Sequence, residues 1–247
     1  MRAEEYVARL AETSANTELL TRLCDGVPLG VDAANELVLS QTKAHPYTVR
    51  HTCVTGTRKT QYIRRLLCHL SSIYAKNQAN FLIISPKTEY GELLKLYRLD
   101  ATVPYIRTQA DVEQAKECIQ SLMEEYTRGA GHPRLFVVLD GLETLFTDTN
   151  GDLQAYRTFL ELVATQKNIH IISGVELMGS IFSGNPGVFV GVGNCLVTTR
   201  EEGRADVTYV DDDCSLSMPI GMTYPSIPSP LETIIYLNSL QSKPSQE

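Results

Sequence analysis

At 247 residues, 43 % of them apolar and 21 % charged, the chain is long enough to bury roughly 70–75 % of its unfolded surface. That excludes dependence on disulfide or metal staples and excludes wholesale disorder. A net charge of −7 speaks against a general nucleic-acid coat protein. No apolar run approaches the ~18 residues that span a bilayer, and Met1-Arg2-Ala3-Glu4-Glu5 carries acid where a signal peptide needs base. Any membrane anchor is therefore expected in a larger parent protein.

The six cysteines (Cys24, Cys53, Cys68, Cys118, Cys195 and Cys214) form no Cys-x-x-Cys pair, and no histidine stands at zinc-ligand spacing from them. They read as buried thiols of a reducing compartment. None of the five histidines reads as a ligand. The charge is uneven. Residues 41–80 hold seven bases (Lys43, Arg50, Arg58, Lys59, Arg64, Arg65 and Lys76) and no acid, which leaves −14 elsewhere. That window is either a solvated basic face or a local field that attracts anions.

Taken in chain order, residues 3–23 have helical periodicity, with Tyr6, Leu10, Leu19, Leu20 and Leu23 among the apolar positions. Val31 to Leu39 reads as a hairpin turning near Asp32-Ala33-Ala34-Asn35, and His45-Pro46 is a break. An alternation then sets in: strand Tyr47–Thr55, helix Lys59–Lys76, strand Phe81–Ser85, helix Glu89–Arg98, strand Val103–Ile106 and helix Gln109–Thr127. It continues with strand Leu135–Leu139, helix Asp152–Lys167, and strands Ile169–Ser173 and Asn194–Thr199. Strands separated by helices of this length specify a parallel sheet covered on both faces. Residues 201–213 are acidic and 218–230 are rich in proline and serine. They read as a connection or as a docking surface, with a terminal helix at Leu231–Leu240.

The chemistry concentrates where the strand at 47–55 meets the helix at 59. A phosphate-binding loop, G-x-x-x-x-G-K-[ST], lies between a strand and a helix. Laid on Cys53-Val54-Thr55-Gly56-Thr57-Arg58-Lys59-Thr60, it puts Lys59 at the outer phosphates and the Thr60 hydroxyl on Mg²⁺. Thr55, Gly56, Thr57 and Arg58 then form the cradle at the helix N-terminus. Both defining glycines are replaced, by Cys53 and Arg58. Arg58 either fills the phosphate pocket or adds a charge to a distorted one. Strand 135–139 ends in Asp140, the arrangement that holds a Mg²⁺-bound water; the alternative for Asp140 is a helix N-cap. Hydrolytic versions place a glutamate next. Here Gly141 follows, and Glu143 is a weak substitute as general base.

Residues 27–200 resemble the FtsK/SpoIIIE branch of RecA-like ATPases. Pro28-Leu29-Gly30-Val31-Asp32 is similar to its P-L-G-x-D hairpin. Val54–Thr60 is similar to its T-T-G-S-G-K-S loop. Ile84-Ser85-Pro86-Lys87 is similar to its I-D-P-K strand, with Ser85 in place of the acid. Ile169-His170-Ile171-Ile172 resembles the strand that leads to a sensor glutamine, where Glu176 stands. Val49-Arg50-His51-Thr52 before Val54-Thr55-Gly56-Thr57 looks like the last, degenerate ATPase module of the EssC/YukB coupling proteins of type VII secretion.

The resemblance implies an α/β, RecA-like P-loop NTPase fold. It has a mostly parallel central sheet flanked by helices, preceded by an N-terminal helix and a β-hairpin. Its expected divisions are 1–26, 27–200 and a C-terminal extension, 201–247. It implies a cytoplasmic module at the inner face of the membrane within a larger membrane-anchored protein, acting in substrate recognition and assembly. ATP with Mg²⁺ would be bound weakly and hydrolysed slowly or not at all. Implied partners are other ATPase modules of the same polypeptide, small helical Trp-X-Gly secreted proteins and larger effectors, with a homo-oligomer in the full-length protein. The competing reading is an active translocase of protein or, less well supported by the charge, of DNA. Such a motor needs an arginine supplied across a subunit boundary, for which Arg134, Arg157, Arg200 and Arg204 are formal candidates. A scaffold without any ligand is the third reading.

Overall fold

The computed structural model describes residues 26–34, 36–40, 51–74, 79–95, 101–102, 134–141, 169–175, 195–210 and 216–224, with helical positions 111, 114, 117, 121 and 124. The helices expected at 3–23, 152–167 and 231–240, and the strand expected at 103–106, lie outside these residues.

Ten strands form one sheet in the order β2-β1-β10-β9-β8-β3-β7-β6-β4-β5. Its heart is a parallel block: β3 (His51–Gly56), β4 (Ala79–Ile84), β5 (Ala101–Thr102), β6 (Arg134–Asp140), β7 (Ile169–Gly174) and β8 (Cys195–Thr199). Phe136, Val137, Val138, Leu139, Ile171 and Ile172 are all fully buried. Continuous apolar runs of this kind belong to strands covered on both faces. After β3 comes α1 (Lys59–Ile73), which buries Tyr62, Ile63, Leu66, Leu67 and Leu70. Those positions recur at intervals of three and four, as one helical face requires. The helix stops at Tyr74, whose backbone turns extended while its N–H still bonds Leu70 O at 3.0 Å. No helix among the described residues is long and apolar enough to cross a membrane.

The hairpin is present, as β1 (Pro28–Val31) against β2 (Leu37–Leu39). Asp32 makes its turn, accepting at Oδ1 from the N–H groups of Ala34 and Glu36 at 2.9 and 2.8 Å. Of the helix expected at 109–127, positions 111, 114, 117, 121 and 124 are described and helical, and Gln114, Glu117, Ser121 and Glu124 are exposed. This is its polar face.

The helix expected at Glu89–Arg98 is a 3₁₀ helix over Thr88–Lys95. Gly91 weakens an α-helical interior by roughly 1 kcal/mol relative to alanine. The tighter winding eclipses residues three apart, so Tyr90 and Leu93 are both buried. The tail is not a mere connection. β9 (Arg204–Tyr209) pairs antiparallel with β8, and β10 (Ile220–Thr223) joins β9 to the hairpin strand β1. Ala205, Val207 and Tyr209 are buried in alternation with Asp206 and Thr208. The acids dominate the composition of this segment without breaking its two-residue period.

Candidate functional site

The parallel strands end along one edge, which gathers Gly56, Ser85, Asp140, Gly174 and Thr199. Open α/β sheets bind their ligands outside this carboxyl edge. β7 lies between β3 and β6, so Asp140 must reach across β7 to meet the helix that follows β3. Gly174, last residue of β7, makes that crossing feasible. A Cβ there would stand 2.3 Å from Asp140 Oδ1 and 2.8 Å from its Cγ.

Asp140 is fully buried. Its Oδ2 accepts from the Thr60 hydroxyl at 2.7 Å and from the Tyr90 hydroxyl at 2.8 Å. Its Oδ1 accepts from Lys87 Nζ at 3.2 Å. The same ammonium donates to Thr60 Oγ1 at 2.9 Å. A buried carboxylate is tolerated only when its charge is paired and its lone pairs are used, and both conditions hold here. Burial, with the neighbouring Asp140 carboxylate, pushes the Tyr90 phenol well above its ordinary value, so it remains a donor at neutral pH. Ser85 anchors the far side. Its hydroxyl donates to Asp140 O at 2.7 Å and accepts from the Lys87 N–H at 3.1 Å.

Asp140 thus meets Thr60. Thr60 Oγ1 and the Asp140 carboxylate are hard oxygen donors of the kind Mg²⁺ takes, and Lys87 Nζ bridges them. The residue after Asp140 is Gly141, at φ 77° with its N–H bonded to Gly174 O at 3.2 Å. A Cβ at that position would lie 3.1 Å from Lys87 Cε.

The cradle is tighter than the motif suggests. β3 stays in register with β8 through Gly56↔Thr199, so only Thr57 and Arg58 separate strand from helix. Gly56 has φ 101°, and a Cβ there would stand 2.2 Å from Thr199 O. Thr199 Oγ1 donates to Thr55 O at 2.8 Å and accepts, at a long 3.4 Å, from the Arg58 N–H. Thr57 donates to Arg200 O at 3.4 Å. Lys59, the first residue of α1, is buried.

The Arg58 side chain lies beside a glutamate of the tail. Its guanidinium is half exposed, 3.6 Å from Glu202 Oε2 and 3.4 Å from Gln61 Oε1. Glu202 also accepts from Arg65 at 2.8 Å, and buried Arg65 lies over the Tyr224 ring at 5.6 Å. An acid of the tail therefore discharges two of the bases in the 41–80 window. Of the arginine candidates, Arg200 pairs with Asp206, Arg204 pairs with Glu201 at 2.9 Å, and Arg134 lies 5.6 Å from the Tyr74 ring. Glu143, Glu176 and Arg157 lie outside the described residues. Cys53, Cys68 and Cys195 are buried free thiols, and burial pushes the Cys195 thiol up to about 12.

Thr199, Gly174 and Tyr90 escape a reading by motif. Only the alternation of glycine and hydroxyl residues at the ends of the apolar strands marks this edge in the sequence.

No family model matches the chain, and no curated protein matches it. Solved structures do. EssC (ATPases 2 and 3) from Geobacillus thermodenitrificans aligns with TM-score 0.56 at 13 % identity, over 89 % of this chain and 50 % of that one. Thermomonospora curvata EccC (ATPases 2 and 3), in complex with a signal sequence peptide, aligns with TM-score 0.51 at 15 % identity, over 82 % and 41 %. The pCW3 conjugation coupling protein TcpA, with ATPγS, aligns with TM-score 0.55 at 12 % identity, over 90 % and 73 %. The chain spans half or less of the EssC and EccC chains. At this identity the likeness is one of fold, and the fold of this chain is that of the P-loop ATPase domains of secretion and conjugation coupling proteins.

Proposed function

We propose that the chain is a degenerate P-loop ATPase module of a type VII secretion coupling protein. It recognises secreted substrates and holds neighbouring modules, with weak or no ATP hydrolysis. Its core is 27–200, flanked by 1–26 and 201–247, and it works in the cytoplasm as part of a larger membrane-anchored polypeptide. The observation that carries this reading is the pairing of a retained Thr60–Asp140 contact at 2.7 Å with Gly141, which has no side chain. General-base catalysis needs a carboxylate within reach of the attacking water. Asp140 spends both oxygens on Thr60, Tyr90 and Lys87. On this reading the fold is kept, and Gly141 offers no carboxylate at the place of the usual base.

The proposed partners are other ATPase modules of the same polypeptide and secreted helical proteins, since EccC ATPases 2 and 3 were solved with a signal sequence peptide. Steady-state phosphate release by the purified chain tests the reading. Release at the background rate, unchanged by Lys59→Ala, is the expected result. Robust turnover abolished by Lys59→Ala removes it and favours the second reading, an active translocase. Lys59, Thr60 and the likeness to TcpA with ATPγS speak for that reading. The remaining −14 of charge outside residues 41–80 speaks against DNA as its track.

A further inference from the structure

Lys87 sits where two oxygen donors converge. Its Nζ is 2.9 Å from Thr60 Oγ1 and 3.2 Å from Asp140 Oδ1, and Thr60 donates to the other carboxylate oxygen. A divalent ion shared by this hydroxyl and this carboxylate would have to occupy the space that the ammonium holds, or stand beside a like charge. The lysine is not there by accident of a mobile side chain. Its backbone N–H is bonded to Ser85 Oγ, which also binds Asp140 O. Its stem passes 3.1 Å from where a Cβ would be at position 141. The left-handed Gly141 (φ 77°) therefore removes the expected glutamate and clears the path of the lysine at once. Two departures from the motif, at Ser85 and Gly141, pack with the retained Lys87 as one unit.

We infer that the Lys87 ammonium takes the place of the divalent cation, so that the site accepts a nucleoside triphosphate as the bare anion and excludes the metal. The charge pattern agrees. The buried Asp140 carboxylate is neutralised by a tethered monovalent cation, and Thr60, which it also holds, lies in the first turn of α1. Metal-free binding of this kind gives positioning without hydrolysis, and it deepens the preceding proposal, on which it rests.

The test is the affinity of the whole chain for ATP, by calorimetry, in magnesium chloride and in EDTA. Wild-type affinity that is higher in EDTA than in magnesium chloride, where the metal sequesters the free triphosphate, with an affinity in Lys87→Met that falls in EDTA by about tenfold or more and returns with magnesium, supports the inference. A wild-type affinity that is unchanged or falls in EDTA overturns it, and this arm needs no variant. If ATP binds in neither buffer, the nucleotide-site reading is what fails, and manganese alone then decides about Lys87. Protein-bound Mn²⁺ by electron paramagnetic resonance in folded Lys87→Met but not in the wild type supports the inference. Bound Mn²⁺ in the wild type, or in neither protein, overturns it.

Discussion

Replacing Gly174 by alanine tests the geometry on which the site depends. The added methyl would stand 2.3 Å from Asp140 Oδ1, 2.8 Å from Asp140 Cγ and 2.9 Å from Ile63 Cδ1. None of these neighbours is the free end of a flexible side chain. Asp140 is held by Thr60, Tyr90 and Lys87, and Ile63 is fully buried. Overpacking of a dense core costs about 1–3 kcal/mol. Pushing the carboxylate away weakens hydrogen bonds to a charged group, each worth about 1.5–3 kcal/mol. Together the loss is about 3–5 kcal/mol, a large part of the ~5–15 kcal/mol that holds a domain together. Urea denaturation followed by circular dichroism measures it as a lowered midpoint at unchanged slope. The cycle with Asp140→Ala gives the sharper test. Once the carboxylate is gone the methyl has room, so the double variant must lose less than the sum of the two singles. A Gly174→Ala loss below about 1 kcal/mol, or strict additivity in the cycle, would refute the crossing of Asp140 over β7.

Three further outcomes follow from the same contacts. Thr199→Ala removes the hydroxyl that donates to Thr55 O at 2.8 Å and should lower stability by about 1–3 kcal/mol. ATP affinity should hold or rise, because Thr199 competes for the Arg58 N–H; a loss of affinity at unchanged stability contradicts this. Arg58→Gly should leave ATP affinity within about twofold and change stability by less than about 1 kcal/mol, since a half-exposed pair with Glu202 is weak and glycine is tolerated before a helix. Tighter binding would mean that Arg58 plugs the pocket, and weaker binding that it contacts phosphate.

The third outcome concerns alkaline pH. Burial raises Tyr62, Tyr90 and Cys195, the last from 9.0 to about 12. Between the ordinary and the raised values the unfolded chain releases these protons and the folded chain keeps them, so stability is full below pH 9 and falls as pH rises toward 12. A denaturation midpoint that holds level over this window contradicts the burial of these groups.

The sequence makes the parallel block plain because its physics is local. Phe136–Leu139 and Ile169–Ile172 are too apolar for any place but a doubly covered strand, and Lys59-Thr60 after β3 marks the helix start. The hairpin is legible for the same reason, in the Asp32 turn. β9 is not, because its acids fall at Glu201, Glu202 and Asp206 and colour the whole segment, while the evidence of a strand rests on three alternating side chains, Ala205, Val207 and Tyr209. The 3₁₀ winding at Thr88–Lys95 reflects both the weak α-helix propensity of Gly91 and a tertiary contact, the Tyr90 hydroxyl at Asp140, that the local sequence does not show.

Within the site, Thr60 and Asp140 are readable from their strands. The partners that complete them are not. Lys87 follows a different strand, and its role depends on the conformation of Gly141. Gly174 matters only because β7 lies between β6, which ends in Asp140, and β3, which leads into α1 and Thr60. Thr199 matters only because β3 stays paired to β8 as far as Gly56. The pairing of Arg58 with Glu202 is not legible either, because the two stand far apart in the chain.

The central claim, a phosphate loop whose metal position has been taken over by the chain itself, is most directly tested by a crystal structure after soaking with ATPγS and magnesium chloride. The account predicts triphosphate density over Lys59 at the N-terminus of α1, with Lys87 Nζ still between Thr60 Oγ1 and Asp140 Oδ1. An octahedral ion between Thr60 and Asp140, with the lysine swung away, would contradict it.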